Sequence, residues 1–439
     1  MSNTPSITTR HGLWALSPMV LLIALFVGLS VYFRDFYKVP LLIIFIVTSG
    51  YALCTLRGRS LEQRLSIFSR GAGDPTLLLM VWIFVLAGAF ASSAKAMGSI
   101  DTTVSLTLML MPQSMILAGI FAASCFVSLS IGTSVGTVVA IIPVAAGLSA
   151  HTGLSLPLIV ASAVGGAFFG DNLSFISDTT VVATKTQGCR MRDKFRTNLL
   201  IALPAALLSL FIYIMMGLGS DATVQVGGID FWKVVPYLFV LIAAIAGMNV
   251  LLVLLVGIVL TGVVGIADGA YDLAGWLVSL SQGIEGMAEL ILISMMAGGL
   301  LSIIRTNGGI SWLLHLMTSG VHGRRGAELS IAGLVVLTNL CTANNTVAIL
   351  SVGSLARDIA ERYGVDPRKS ASLLDTFSCC IQGVIPYGAQ LLMASGLAAI
   401  SPTSIIPYLF YPFLLCLSAL VAILVGFPKF RAAKACAGA

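Results

Sequence analysis

Gly166-Ala167-Phe168-Phe169-Gly170-Asp171-Asn172-Leu173-Ser174-Phe175-Ile176-Ser177-Asp178-Thr179-Thr180 decides how this chain is read. Two carboxylates, one amide and four hydroxyls fall within ten residues, with apolar sequence on both sides and no Lys, Arg or Glu until Lys185. A charge at the centre of a membrane span costs a few kcal/mol, about 2.5–3.5 on insertion scales. Backbone that stops being helical inside a bilayer must line protein or a water-filled cavity. Such a stretch therefore predicts a discontinuous helix around a polar site, with Gly165, Gly166 and Gly170 allowing close backbone approach.

The rest of the chain supplies the membrane context. It has 439 residues, 58% hydrophobic and 10% charged, with a mean hydropathy of +1.01. Soluble domains carry about 25% charged residues, so this chain lacks the charge to cover a water-facing surface. That excludes an ordinary soluble enzyme, a disordered chain and a nucleic-acid binder working through a basic face. Continuous apolar runs such as Leu41-Leu42-Ile43-Ile44-Phe45-Ile46-Val47 are helical spans, not the alternating strands of a membrane barrel. The length allows about 10–13 membrane segments. The net charge of +6 reflects basic cytoplasmic loops. Eight cysteines lie mostly in apolar runs, without a metal-binding spacing, and read as small buried hydrophobes. The short polar N-terminus, Met1 to His11, leads into an apolar run too long for a signal-peptide core and is expected to be an uncleaved first span.

Spans are expected at 13–33, 39–56, 77–97, 199–218, 234–264, 287–304 and 405–427. The stretch 234–264 is long enough to be a broken pair with its break at 247–249. The segment 57–70 reads as a basic, partly amphipathic cytoplasmic connection, 220–230 as an outside loop and 265–282 as a loop. Short apolar pieces at 104–111 and 310–317 are too short to cross alone.

The order of features recurs in the two halves, predicting an internal repeat. Gly136-Thr137-Val138 lies over Asn345-Thr346-Val347, and Asp178 opposite Gln390. Charge tests the orientation. The connector 149–153 has no Lys or Arg while 188–196 is strongly basic; in the second half the connector 357–369 is basic and 398–403 is uncharged. Matching elements therefore face opposite sides, the pattern of inverted repeats with discontinuous helices meeting near the midplane. The expected fold is an all-α polytopic membrane protein of two inverted-topology repeats with broken helices and re-entrant hairpins. Its organisation reads as N-terminal spans and a basic loop (1–70), a first repeat (71–218), connecting spans and loops (219–283), a second repeat (284–428) and a basic tail (429–439).

Four polar constellations supply candidate binding residues. The opening stretch gives Asp171, Asn172, Ser174, Ser177, Asp178 and Thr179. Carboxylate, hydroxyl and carbonyl oxygens suit a small hard cation. A carboxylate also takes a proton, so one Asp that holds either H⁺ or Na⁺ is a minimal exchanger. Ser130-Ile131-Gly132-Thr133-Ser134-Val135-Gly136-Thr137 offers Thr133, Ser134 and Thr137, although Gly132 and Gly136 also form a helix-packing GxxxG. Its second-half partner supplies Asn344, Asn345 and Thr346, poor helix formers with amide oxygens. Asp375, Ser378 and Gln382 share one helical face, and Tyr387 and Gln390 follow the helix-breaking Pro386. For bound Na⁺ the expected ligands are Asp178, Asp171 and Asn344. Glu285 and Glu289 read as a solvated span end, Lys95 as a snorkelling side chain, Lys185 as a loop lysine and the histidines as connector residues.

At these positions the chain resembles the NhaC-type sodium/proton antiporter family, in the wider group of ion transporters with inverted repeats and helical hairpins. Residues 170–180 look like that family's Gly-Asp-x-x-Ser-x-x-Ser-Asp-Thr-Thr signature. Asn344-Asn345-Thr346 and Gln382-Gly383-x-x-Pro386-Tyr387-Gly388 look like its second-half features. The resemblance covers nearly the whole chain and implies secondary transport with Na⁺ and H⁺ as the ions. Members similar in fold exchange organic acids or move amino acids.

The expected function is Na⁺/H⁺ antiport at intramembrane aspartates by alternating access. The alternative is Na⁺- or H⁺-coupled transport of a small amino acid or organic acid; the lack of an intramembrane Arg to clamp an anion weighs against a dicarboxylate, whereas a zwitterion needs none. No nucleotide-binding motif appears, so an ion gradient is the energy source. A channel suits broken helices in a repeat less well, and no enzyme constellation stands out. The expected setting is the bacterial inner membrane, with no cofactor, the lipid bilayer as surroundings, no nucleic-acid partner, and a homodimer among the admissible assemblies.

Overall fold

The computed structural model describes residues 9–33, 39–110, 112–174, 177–218, 230–246, 248–318 and 323–428. The loop expected at 220–230 (save Asp230), the break residue Gly247, the tip residues Phe175 and Ile176 and the tail 429–439 lie outside them. The described residues form helices and no strands. The first half holds α1 (Thr9–Phe33), α2 (Leu41–Thr55), α3 (Leu61–Ala72), α4 (Pro75–Ala96), α5 (Ser99–Leu110), α6 (Ile116–Ile131), α7 (Ser134–Thr152), α8 (Leu156–Leu173), α9 (Asp178–Gln187) and α10 (Met191–Gly217). The second holds α11 (Phe231–Ile245), α12 (Val250–Ala267), α13 (Leu273–Glu285), α14 (Ala288–Thr306), α15 (Gly309–Thr318), α16 (Gly323–Thr342), α17 (Asn345–Tyr363), α18 (Pro367–Gln382), α19 (Ala389–Ala398), α20 (Pro402–Ile405) and α21 (Phe410–Val425). Seven stretches of described helix are long and apolar enough to cross a membrane, and an eighth if 389–398 and 402–408, bent by 100°, count as one span. Shorter apolar helices, among them α2 and α21, accompany them.

The repeat is written in the backbone. Left-handed residues recur at a spacing of 211: Gly58 and Gly269, Gly132 and Ala343, Gly153 and Gly364, Gly188 and Ala399. α7 and α17 begin and end at the same spacing. This moves the sequence alignment by two residues at the breaks and by one at the hairpins, so that Ser134 lies over Asn345, Asp171 over Gln382 and Thr179 over Gln390. The correspondence also takes in α1–α3 and α11–α13, which the hydropathy pattern had placed outside the repeats.

Packing is reciprocal between the halves. α3 lies against α14 and α13 against α4; α9 lies against α17 and α19 against α7. Glycines make the first exchange close. A methyl group at Gly71 would sit 2.4 Å from the Gly298 carbonyl oxygen, and one at Gly283 would sit 2.1 Å from that of Gly88. Each half thus completes its core on the other.

Two expected connections are helices. The basic segment after Arg57 is α3, opened by a capping box in which Ser60 and Gln63 exchange backbone-to-side-chain bonds of 3.2 and 3.3 Å. The loop expected at 265–282 is largely α13, whose start is capped by Asp272 accepting from the Gly275 amide at 2.7 Å. Its Gly and Ser residues look loop-like locally, but Gly283 is what lets the helix reach α4. The break expected near Asn249 is present, with Asn249 capping α12.

Candidate functional site: a carboxylate between two broken helices

The two broken helices break in the same way. Gly132 is left-handed (φ 75°) and Thr133 extended (φ −148°, ψ 126°) before α7 starts. Ala343 is left-handed (φ 50°) and Asn344 extended (φ −145°, ψ 113°) before α17 starts. A non-glycine residue in that conformation is uncommon. Ala343 is held in place by Gln382, whose Nε2 donates to its carbonyl at 3.0 Å.

Asp171 sits between the two breaks. It lies in the last turn of α8, and its side chain is buried. Ser134, the first residue of α7, donates to its Oδ2 at 2.7 Å. Ser177, the N-cap of α9, donates to its Oδ1 at 2.6 Å and pairs with Thr179 at 2.9 Å. The carboxylate thus faces the N-terminal ends of two helices, where partial positive charge collects. The network crosses to the second half: Gln390 Nε2 donates to Ser134 Oγ at 2.9 Å, and Gln382 Nε2 donates to Gln390 Oε1 at 3.0 Å. One chain of side chains therefore joins Asp171 to Ala343 at the second break.

A second buried cluster begins one residue along α8. Lys194, 1% exposed, donates to the Asn172 carbonyl at 2.6 Å, to Thr180 Oγ1 at 2.8 Å and to the Asp375 carboxylate. Asn198 Nδ2 donates to Asp375 Oδ2 at 3.2 Å and to the Asn172 carbonyl at 3.1 Å, and Asn172 Nδ2 reaches Asp375 Oδ2 at 3.3 Å.

The expected residues therefore divide. Asp171, Ser134, Ser177, Thr179, Gln382 and Gln390 come together. Asn172 and Asp375 belong to the lysine cluster, so Asp375 is an ion-paired carboxylate and not a free ligand. Asp178 stands apart from this group: it opens α9 beside Ser177, and its side chain is exposed. Asn344 uses its side-chain oxygen to cap the Val347 amide at 3.0 Å, which occupies the expected cation ligand. Asn345 Oδ1 accepts from the Thr346 amide, and Thr346 is half-buried. Thr137 bonds back to Thr133, Ser174 to Leu129 and Ser378 to Asp375, all at backbone carbonyls, while Thr133 makes no cap bond. Tyr387 donates to the Leu340 carbonyl at 2.7 Å and packs edge-on against Phe45. Lys185 is exposed.

Lys194 and Asn198 were missed. Lys194 stands in the run Arg190, Arg192, Lys194, Arg196, which reads as a cytoplasmic signature. Its Lys-x-x-x-Asn spacing, followed by Ile201 and Ala202, places both polar side chains on the buried face of α10. That periodicity was the available signal. A second buried pair, Lys369 with Glu328 at 2.7 Å, joins α18 to α16 and was missed for the same reason.

Among the described residues no three His, Cys, Asp or Glu side chains gather as for a resident metal. Around Asp171 one carboxylate and several hydroxyls gather, oxygen types that suit a hard cation.

Comparison with known proteins agrees with the repeat. The family model described as "Na+/H+ antiporter family" matches this chain twice, over residues 7–218 and 222–429. An uncharacterized Na(+)/H(+) antiporter of Haemophilus influenzae is 24% identical, covering 94% of this chain and 95% of that protein. The Na(+)/H(+) antiporter NhaC of Bacillus subtilis is 24% identical, covering 64% of this chain and 69% of NhaC. A malate-2H(+)/Na(+)-lactate antiporter of Bacillus subtilis is 20% identical, covering 60% and 63%. With both halves matched, the chain belongs to the Na⁺/H⁺ antiporter family, a family of multi-pass membrane transporters and not of enzymes.

Proposed function

We propose that this antiporter exchanges Na⁺ for protons at Asp171 by alternating access, in the inner membrane of a bacterium. The observation that carries the reading is the buried Asp171 carboxylate, held by Ser134 at the first break and by Ser177 at the start of α9. Sodium and a proton compete for the same oxygens. With a cation bound, Ser134, Ser177 and Thr179 turn lone pairs toward it; with a proton bound, they return to hydrogen bonding. The two helix N-termini keep the cation from being held too tightly to leave. The chain through Gln390 and Gln382 gives the second half a direct mechanical link to the occupancy of Asp171.

The test is Na⁺-evoked proton movement in proteoliposomes with an internal pH dye. Asp171→Asn is expected to reduce exchange to background, and Asp178→Asn to keep it within a few-fold. Full exchange by Asp171→Asn with unchanged pH dependence overturns the assignment. A second reading, coupled transport of a small organic or amino acid, takes support from the malate/lactate relative. Counterflow of labelled acids in the same vesicles separates the two. Proton flux evoked by Na⁺ with no acid present favours ion exchange.

A further inference from the structure

Lys194 is surrounded in the way that a small cation is surrounded. Its ammonium touches a backbone carbonyl (Asn172), a hydroxyl (Thr180) and a carboxylate (Asp375), the oxygen types that coordinate hard cations. The pocket offers more acceptors than the lysine uses. Asp375 Oδ1 and Asn198 Oδ1 are buried with no hydrogen-bond partner among the described residues, and such orphaned oxygens are costly. The carbonyl that Lys194 meets is also one of the last of α8, where a positive charge is favoured. Its counterparts 211 residues on, Ile405 and Leu409 for Lys194 and Asn198, are fully buried and apolar. The fold therefore does not require charge at this place.

We propose that Lys194 is a tethered cation: its ammonium permanently fills a second monovalent-cation position, fixing the end of α8 and the start of α9 to α18, so that Asp171 alone cycles between ions. Lys194 is a positioning residue in this scheme. It acts on exchange through Asn172, the neighbour of Asp171. The inference rests on the Asp171 reading only for its transport consequence, since occupancy of the position is measured without transport.

Removing the tether leaves a site for a free cation of the same chemistry. Purified Lys194→Ala is expected to show a lowered Tm in detergent that methylammonium chloride restores in a saturable way. Choline chloride, matched in ionic strength but too large for the space, is expected to have no effect, and wild type to respond to neither salt. Lys194→Ser serves as the second variant. For a variant that does not survive extraction, the readout is recovery of monodisperse protein from membranes solubilised with methylammonium or with choline. Equal behaviour of the two salts in both variants overturns the proposal and leaves Lys194 as an ordinary ion pair. Exchange by Lys194→Ala is expected to recover over the same methylammonium range. If Asp171→Asn retains exchange, the Asp171 reading fails while the Tm result still decides the role of Lys194.

Discussion

The first hairpin, α8 and α9, and the second, α18 and α19, share a backbone and differ in charge. Each is entered through a left-handed glycine, Gly153 or Gly364, and left through a left-handed residue, Gly188 or Ala399. Yet Asp171 in the first corresponds to Gln382 in the second, Ser177 to Gly388 and Thr179 to Gln390. Lys194 beside the first hairpin corresponds to Ile405 beside the second. A duplicated fold needs matching left-handed turns and glycine contacts, because those set the helix directions. It does not need matching side chains at the centre. Each hairpin carries a buried carboxylate where the other is neutral, Asp171 opposite Gln382 and Asp375 opposite Val164, but Asp375 is ion-paired with Lys194 whereas Asp171 is held by hydroxyls.

The largest expected effect breaks this division directly. Asp171→Asn should abolish Na⁺-evoked proton flux. Gln382→Ala, which removes the bonds to Ala343 and Gln390, should slow it about tenfold, the worth of one or two buried hydrogen bonds. Equal loss in both variants would show that the second break shares the ion chemistry.

Next comes the buried pair Lys369–Glu328, whose counterparts in the first half are Leu158 and Leu117, both buried and apolar. Lys369→Met leaves the buried Glu328 to Arg324, whose Nε lies 3.2 Å from Oε1, and should cost about 1–3 kcal/mol. The double change Lys369→Leu with Glu328→Leu should recover most of it, as read by thermal unfolding in detergent. Recovery would mean that the second half keeps this charge for a reason other than stability.

Gly283→Ala tests the reciprocal packing. The added methyl meets the Gly88 carbonyl at 2.1 Å, and such overpacking costs about 1–3 kcal/mol. Gly71→Ala, at the matching contact, should lower Tm by a similar amount.

The smallest effect compares two caps. Asp366 caps α18 by accepting from the Arg368 amide at 2.9 Å, whereas Ser155, its counterpart on α8, makes no cap bond. Partial burial raises the Asp366 pKa, but hydrogen bonds from Arg368 outweigh it and hold the carboxyl below the ordinary aspartate value. A depressed carboxylate stabilises the fold above its unfolded value of about 3.9 and loses that contribution as the pH falls through the folded one. Asp366→Ala should cost about 1 kcal/mol at neutral pH and nothing at strongly acid pH. Ser155→Ala should change little at either.

Much of this was legible in the chain. Ser134, Ser177 and Asp171 stood out because hydroxyls and a carboxylate within an apolar run have no other economical use there. Gln390 was a candidate on its own account, but its bond to Ser134 of the first half is visible only in the fold. Asp178 and Ser177 were not separable in the chain, because adjacent positions on a helix point in different directions and only the start of α9 fixes which one faces inward. The repeat register slipped by one to two residues because the side chains at the breaks differ, while the left-handed residues that align them include an alanine in two of the four pairs, Ala343 and Ala399, which composition does not flag.

Sequence by itself determined the class: continuous apolar runs with too little charge for water demand a helical membrane protein, and polar residues inside those runs demand a site. Tertiary structure decided which polar residues meet. Lys194 and Asp375 are 181 positions apart, and Lys194 in a basic run looks like any loop lysine. Their pairing exists only because α10 and α18 pack side by side. Helix periodicity is a local property that a sequence carries, whereas the partner of a buried charge is set by the arrangement of helices that no short stretch encodes.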